Sequence, residues 1–264
     1  MVGPNYYRTI WISDVHLGTR ACKAASLLDF LRNHIAETLY LVGDIVDAWN
    51  FGPAWYWSPL QQKIVDELVR WRRRGTGIVF LPGNHDETNI PLVQELLGPM
   101  PYVDCLVHTT AAGARTLVIH GHQFDGSLNP NRLLPFIGSH GYARAQRLHD
   151  WYYRERREPN DDGRSLSDYF RYPAKRAIEF LTDFPDRAVL AAARSNRVDG
   201  VVCGHIHRAA RRLIGDVLYV NDGDWVQSLT AAVEEPDGTL QIIEWGPARC
   251  RHVVSMLTST EVIL

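Results

Sequence analysis

Cysteine is scarce in this chain: the four thiols, Cys22, Cys105, Cys203 and Cys250, lie far apart and form no C-x-x-C pair. That spacing argues against a thiolate metal knuckle and a disulfide framework, and fits reduced thiols. An excess of one charge is also missing, since Lys+Arg 28 against Asp+Glu 30 leaves a formal net charge of -2. A nucleic-acid partner, which needs a broad basic stripe, is therefore disfavoured. No run approaches the roughly 18 consecutive apolar residues of a membrane span, and residues 1–8 carry neither the basic nor the apolar region of a secretory leader. The expectation is a cytoplasmic protein, with contact at the inner membrane face left open.

What is present is ordinary globular material, 264 residues with 45% hydrophobic and 22% charged. The length suits a single domain over 1–264 with a helical insertion at about 128–196. Residues 9–12 form a β-rich run, 24–35 carry apolar residues at helical spacing, and 38–42 form a second apolar run, a βαβ pattern. Ser58 and Pro59 read as the cap and first residue of a helix, with Leu60, Ile64, Leu68 and Trp71 as its buried stripe and Gly75 as its stop. A third buried strand spans 78–81, and a short helix lies near 92–97. Residues 102–108 and 115–120 read as strands joined by the turn Ala111-Ala112-Gly113, and strand character returns at 200–203, 217–221, 229–233 and 240–245.

Polar clusters sit where these apolar runs end: Asp14-Val15-His16, Gly43-Asp44, Gly83-Asn84-His85-Asp86, His120-Gly121-His122 and Gly204-His205-Ile206-His207. Any one is a weak signal, because short motifs recur by chance. As an ordered set they can converge on one edge of a sheet, where open α/β folds place their sites. Side chains two apart on an extended segment point the same way, so Asp14 with His16, and His205 with His207, are each read as a pair gripping one ion. Carboxylate, imidazole and amide without thiolate favour Mn²⁺, Fe²⁺ or Zn²⁺. The alternative, capping or core-satisfied polar residues, would leave costly buried groups at apolar strand ends.

These motifs, in this order from Asp14 to His207, resemble the calcineurin-like metallophosphoesterases, with their pattern D-x-H, G-D, G-N-H-[DE], H, G-H-x-H. The resemblance implies an α/β fold, a β-sandwich flanked by helices in four αββα layers, and two divalent ions, Mn²⁺ foremost. One ion would be held by Asp14, His16, Asp44 and His207, the other by Asp44, Asn84, His120 and His205, with Asp44 bridging. It makes His85 the catalytic acid or cation beside the leaving oxygen, with Asp86 orienting its ring, and a water acidified by the ions the attacking group. Asp47 and His122 read as neighbours of ligands.

Within that family the chain resembles the group related to the UDP-2,3-diacylglucosamine pyrophosphatase of lipid A synthesis. The likeness rests on Ile12-Ser-Asp-Val-His-Leu-Gly18, Gly43-Asp-Ile-Val-Asp-Ala-Trp49, the helical insertion and Asn221-Asp-Gly-Asp-Trp225. It implies a nucleotide-linked, acylated sugar as substrate, cleaved to UMP and an acylated sugar phosphate, with the insertion as a lid. The chain departs from that group in having His85 where Arg is usual and His122 where a carboxylate is usual, which keeps a general phosphomonoesterase or phosphodiesterase as the alternative and a non-catalytic scaffold as a further one. Substrate contacts are expected from Trp49, in an aromatic segment over 49–57, and from Arg144 and Arg147, which with Arg154 and Arg157 fall near one helix face.

Overall fold

The computed structural model describes residues 4–124 and 186–246. Residues 1–123 and 186–264 belong to one compact unit and 124–185 to another; the description concerns the first. The insertion expected at about 128–196, with Arg144 and Arg147, lies outside the described residues except for its end, where Asp186–Asn196 is a helix, α4.

The leading strand β1 (Asn5–Ile12) runs parallel to β2 (His34–Val42), which runs parallel to β3 (Gly77–Leu81). The crossovers are α1 (Ala24–Asn33) and α2 (Pro59–Arg73), and α3 (Ile90–Leu97) follows β3. These strands read as unbroken apolar runs because both faces are covered. Ile10 and Ile12, Leu39 and Leu41, and Ile78 and Phe80 pack with the helices. Trp11, Tyr40, Val42 and Leu81 face the other way into a second core. The antiparallel strands β9 (Thr230–Glu234) and β10 (Leu240–Glu244) complete a five-stranded sheet ordered β10-β9-β1-β2-β3.

The second sheet has the order β4-β5-β6-β8-β7. In it β5 (Arg115–Ile119), β6 (Gly200–Cys203) and β8 (Val217–Asn221) are parallel, and β4 (Cys105–Thr109) and β7 (Ala210–Ile214) are antiparallel edges. Val118, Val202 and Val220 meet Trp11, Val42 and Ile242 in the core between the sheets, while α4 packs on β6, β7 and β8. The layers run helices, sheet, sheet, helix, as expected.

Local differences have physical causes. The first helix stops at Asn33 because His34 is extended (φ -130°) and its ring Nδ1 bonds the Phe30 carbonyl at 2.7 Å, occupying a carbonyl of the last turn. Helix α2 starts as expected, with a reciprocal cap between Ser58 and Gln61. Leu60, however, is exposed; Gln61 turns inward instead, its Nε2 donating to the Thr19 carbonyl at 2.8 Å. Strand β7 is absent from the sequence reading because Ala-Arg-Arg-Leu-Ile is a half-exposed edge without an apolar run.

One buried polar cluster ties the two sheets. Glu234, fully buried, accepts from Thr9 Oγ1 (2.7 Å), His108 Nε2 (2.8 Å), the Ala111 N–H (2.7 Å) and Arg8 Nη1 (2.6 Å). Burial would raise its pKa, but these donors, His108 first, outweigh it and hold Glu234 down at about 2.

Candidate metal centre

All five polar clusters lie beyond the carboxyl ends of β1, β2, β3, β5 and β6. The two loops that follow β1 and β2 are zipped together: the Asp14 N–H donates to the Gly43 carbonyl at 3.0 Å, and the Val15 and His16 N–H groups to the Asp44 carbonyl at 2.9 Å each. Asp14 and His16 are therefore not on an extended strand, as the alternation argument supposed. They have φ of 50° and 52°, Asp44 has 52°, and His205 and His207 have 73° and 55°. Left-handed backbone at non-glycine residues costs on the order of 1–3 kcal/mol each and persists where the surroundings over-determine it. Here it turns five polar side chains inward.

Three groups of side chains result: Asp14, His16 and His207; Asp44, His120 and His205; and His16, Asp47 and His85. In the first, His207 Nε2 stands 3.1 Å from Asp14 Oδ1 and 3.5 Å from His16 Nε2. In the second, His120 Nε2 stands 3.5 Å from Asp44 Oδ1, with the His205 ring 5.2 Å from the His120 ring. Within each group the candidate ligand atoms lie within 4.8 Å of one another. Glycine is required at the approach: a Cβ on Gly83 would overlap Asp44 Oδ1 and His120 Nε2, and one on Gly204 would overlap Ser13 Oγ.

The residues fit divalent ions on their own geometry. Asn84 Oδ1 is buried without a hydrogen bond among the described residues, an expensive state unless another partner takes its lone pairs, and Asp14 Oδ1 and His120 Nε2 face only other candidate ligands, His207 at 3.1 Å and Asp44 at 3.5 Å. The fully buried His120 ring is fixed by its Nδ1, 2.7 Å from the Val42 carbonyl, which turns the Nε2 lone pair toward Asp44. Without an ion, burial is outweighed by Asp44, and His120 rises to about 10; beside Asp14, His207 rises to about 9. Burial dominates at His16, which falls to about 4.

His85 closes the site. Its N–H donates to Asp44 Oδ1 at 2.9 Å, its Nδ1 lies 2.9 Å from Asp47 Oδ1, and its Nε2 lies 3.8 Å from Asp44 Oδ2. Burial pulls its pKa down, but the Asp47 hydrogen bond and the charges of Asp44, Asp47 and Asp86 hold it above the usual histidine value. The expectation that Asp86 orients this ring is corrected. Asp86 accepts instead from the N–H groups of Val46 (2.8 Å), Gly83 (3.1 Å) and Ile45 (3.2 Å), pinning two loops, and Asp47 holds the ring. Burial and the charge of Asp44 lift Asp86 to about 7.

Trp49 stacks on His85 with ring centroids 4.1 Å apart and leaves 48% of its surface exposed. Phe51, Trp55 and Trp57 continue the aromatic segment. His122 pairs through Nε2 with Glu87 at 3.1 Å. Sequence reasoning missed Ser13, whose Oγ is 2.5 Å from Asp14 Oδ2, and Asp222, 2.6 Å from the same hydroxyl. Their signal is weak, an isolated hydroxyl and an acid in a turn.

The family model described as calcineurin-like phosphoesterase matches residues 7–209. Among curated relatives, UDP-2,3-diacylglucosamine hydrolase of Cellvibrio japonicus is 27% identical over 223 residues, 77% of this chain and 83% of that one. The protein of the same name from Chromohalobacter salexigens is 38% identical over 81 residues, 30% and 32% of the two chains. Among solved structures, Vps29 of Entamoeba histolytica aligns over 94% of this chain and 99% of its own, at 13% identity and a TM-score of 0.47.

Proposed function

This chain belongs to the calcineurin-like phosphoesterase family, the metal-dependent hydrolases of phosphoester and phosphoanhydride bonds, and from that premise we propose that it cleaves the pyrophosphate of a UDP-2,3-diacylglucosamine-like substrate. The products are UMP and an acylated sugar phosphate. The observation that carries the site is the gathering of Asp14, His16 and His207 in one group of candidate ligand atoms and of Asp44, His120 and His205 in another. The substrate is supported by the name of the relatives that the chain resembles.

In this reading Asp14, His16 and His207 would hold one ion and Asn84, His120 and His205 the other, with Asp44 as the shared carboxylate; Mn²⁺ would suit the donor set, as would Fe²⁺ and Zn²⁺. Such ions supply positive charge to a phosphoryl group and lower the pKa of a neighbouring water. The chain's own part falls to His85. Held at Nδ1 by Asp47, with its pKa raised by the Asp47 hydrogen bond and the charges of Asp44, Asp47 and Asp86, it would offer a proton at Nε2 to the departing oxygen. Trp49, stacked on that ring, offers its open face to an apolar or flat part of the substrate. Arg144 and Arg147 are assigned to phosphate or headgroup contact on sequence spacing alone. An acylated substrate brings the protein to the inner membrane face; among the described residues no helix is long and apolar enough to cross a membrane.

The test is incubation with UDP-2,3-diacylglucosamine and Mn²⁺, with UMP as the readout. Release of UMP is expected. Turnover of simple aryl phosphoesters without release of UMP would select the general phosphoesterase, a reading favoured by the imidazole of His85 where that group usually carries Arg.

A further inference from the structure

We propose that Asp222 is held as a neutral carboxylic acid that donates to Ser13, and that Ser13 in turn donates to Asp14, fixing which oxygen of Asp14 faces an ion. Asp222 is thus a positioning residue; the inference deepens the metal reading above and rests on it for its consequence. The argument is a count of protons. Ser13 Oγ has three oxygen neighbours, Asp14 Oδ2 at 2.5 Å, Asp222 Oδ1 at 2.6 Å and the Gly223 carbonyl at 3.2 Å. A hydroxyl carries one proton and can satisfy one of them.

Were both carboxyl groups ionised, one would press a lone pair against the Ser13 lone pairs at hydrogen-bond distance, with no water to screen it. Both side chains are fully buried, so that arrangement is excluded on energetic grounds. One of the two must bear a proton. Asp14 is the acceptor: its Oδ2, the oxygen that faces Ser13, already accepts the His205 N–H at 2.8 Å. Asp222 Oδ2 is buried without a hydrogen bond among the described residues. Burial and the charge of Asp14 push its pKa well above the carboxylate range, against the Ser13 hydrogen bond.

The relay therefore runs from the Asp222 O–H to Ser13 Oγ, and from the Ser13 O–H to Asp14 Oδ2. It commits Oδ2 to the protein and leaves Oδ1 toward His16 and His207. It also keeps a further carboxylate charge away from Asp14.

The experiment compares Mn²⁺ affinity, by competition with a chelator, in the wild-type chain, Asp222→Ala and Asp222→Asn, with circular dichroism to verify folding. Loss of a group that supports a ligand weakens binding by about 10–100-fold, and this is expected of Asp222→Ala. Asn retains a neutral N–H donor for Ser13 and is expected to restore affinity to within about threefold. Asp222→Asn as weak as Asp222→Ala, or Asp222→Ala binding like wild type, overturns the proposal. The infrared spectrum decides independently, even where Asp222→Ala does not fold: a protonated-carboxyl stretch at neutral pH should be present in wild type and lost in Asp222→Asn, and no such difference overturns the proposal. A wild-type chain that takes up no Mn²⁺ overturns the metal reading instead, and the infrared difference then judges the protonation of Asp222 alone.

Discussion

Asp47 holds the imidazole of His85 through a 2.9 Å hydrogen bond at Nδ1, joining the loop after β2 to the loop after β3. The bond helps hold the ring with its Nε2 3.8 Å from Asp44 Oδ2. Asp47→Ala is expected to lower kcat by about 10–100-fold while the bound metal stays at wild-type level. Steady-state kinetics with an aryl phosphoester, together with metal analysis, checks it; unchanged kcat would remove His85 from the chemistry.

Asp44 stands with His120 and His205 in one group of candidate ligands. Asp44→Asn keeps an acceptor for the His85 N–H but removes the charge beside His120. Activity is expected to fall by about 10³-fold or more with every substrate, and bound metal to drop. Full activity in this variant would mean that the site lies elsewhere.

Gly83 leaves no room for a side chain against Asp44 and His120. Forcing a methyl group into such packing costs about 1–3 kcal/mol, so Gly83→Ala should melt earlier than wild type by calorimetry and bind less Mn²⁺. A variant with wild-type melting and metal content would show that the loop after β3 yields freely.

Stability should decline in acid through Glu234. Its carboxylate sits at about 2 in the folded chain against roughly 4.3 for an unperturbed Glu. A depressed folded pKa contributes stability that is complete above the unfolded value and is lost as pH falls toward the folded one. The expected window is therefore about pH 5 to 2, and Glu234→Gln should flatten the slope of denaturant stability there. The same slope in the variant would place the acid sensitivity on other groups.

Much of this molecule is legible in its sequence. Gly43-Asp44, Gly83-Asn84 and Gly204-His205 each follow an apolar run, and the runs become buried strands whose ends meet. Ser58 and Pro59 mark a helix start because capping is local chemistry. The arrangement within the loops is not legible, since it depends on partners far away in the chain. Asp86, adjacent to His85, turns to three backbone N–H groups, whereas Asp47, remote in sequence, takes the ring. The inward turn of Asp14 and His16 likewise comes from left-handed backbone held by the Asp44 carbonyl, which no side-chain periodicity announces. The relay through Ser13 and Asp222 spans 209 positions.

The ligand groups draw on both layers. Asp14, His16, Asp44 and Asn84 follow strands of one sheet, and His120, His205 and His207 follow strands of the other. A cation gripped by such a set would act as a rivet across the rim of the sandwich. Stripping it would let that rim breathe, exposing the amide protons of the rim loops to exchange sooner than those buried between the sheets. On the proposed reading the supply of metal would then govern mechanical cohesion as well as turnover.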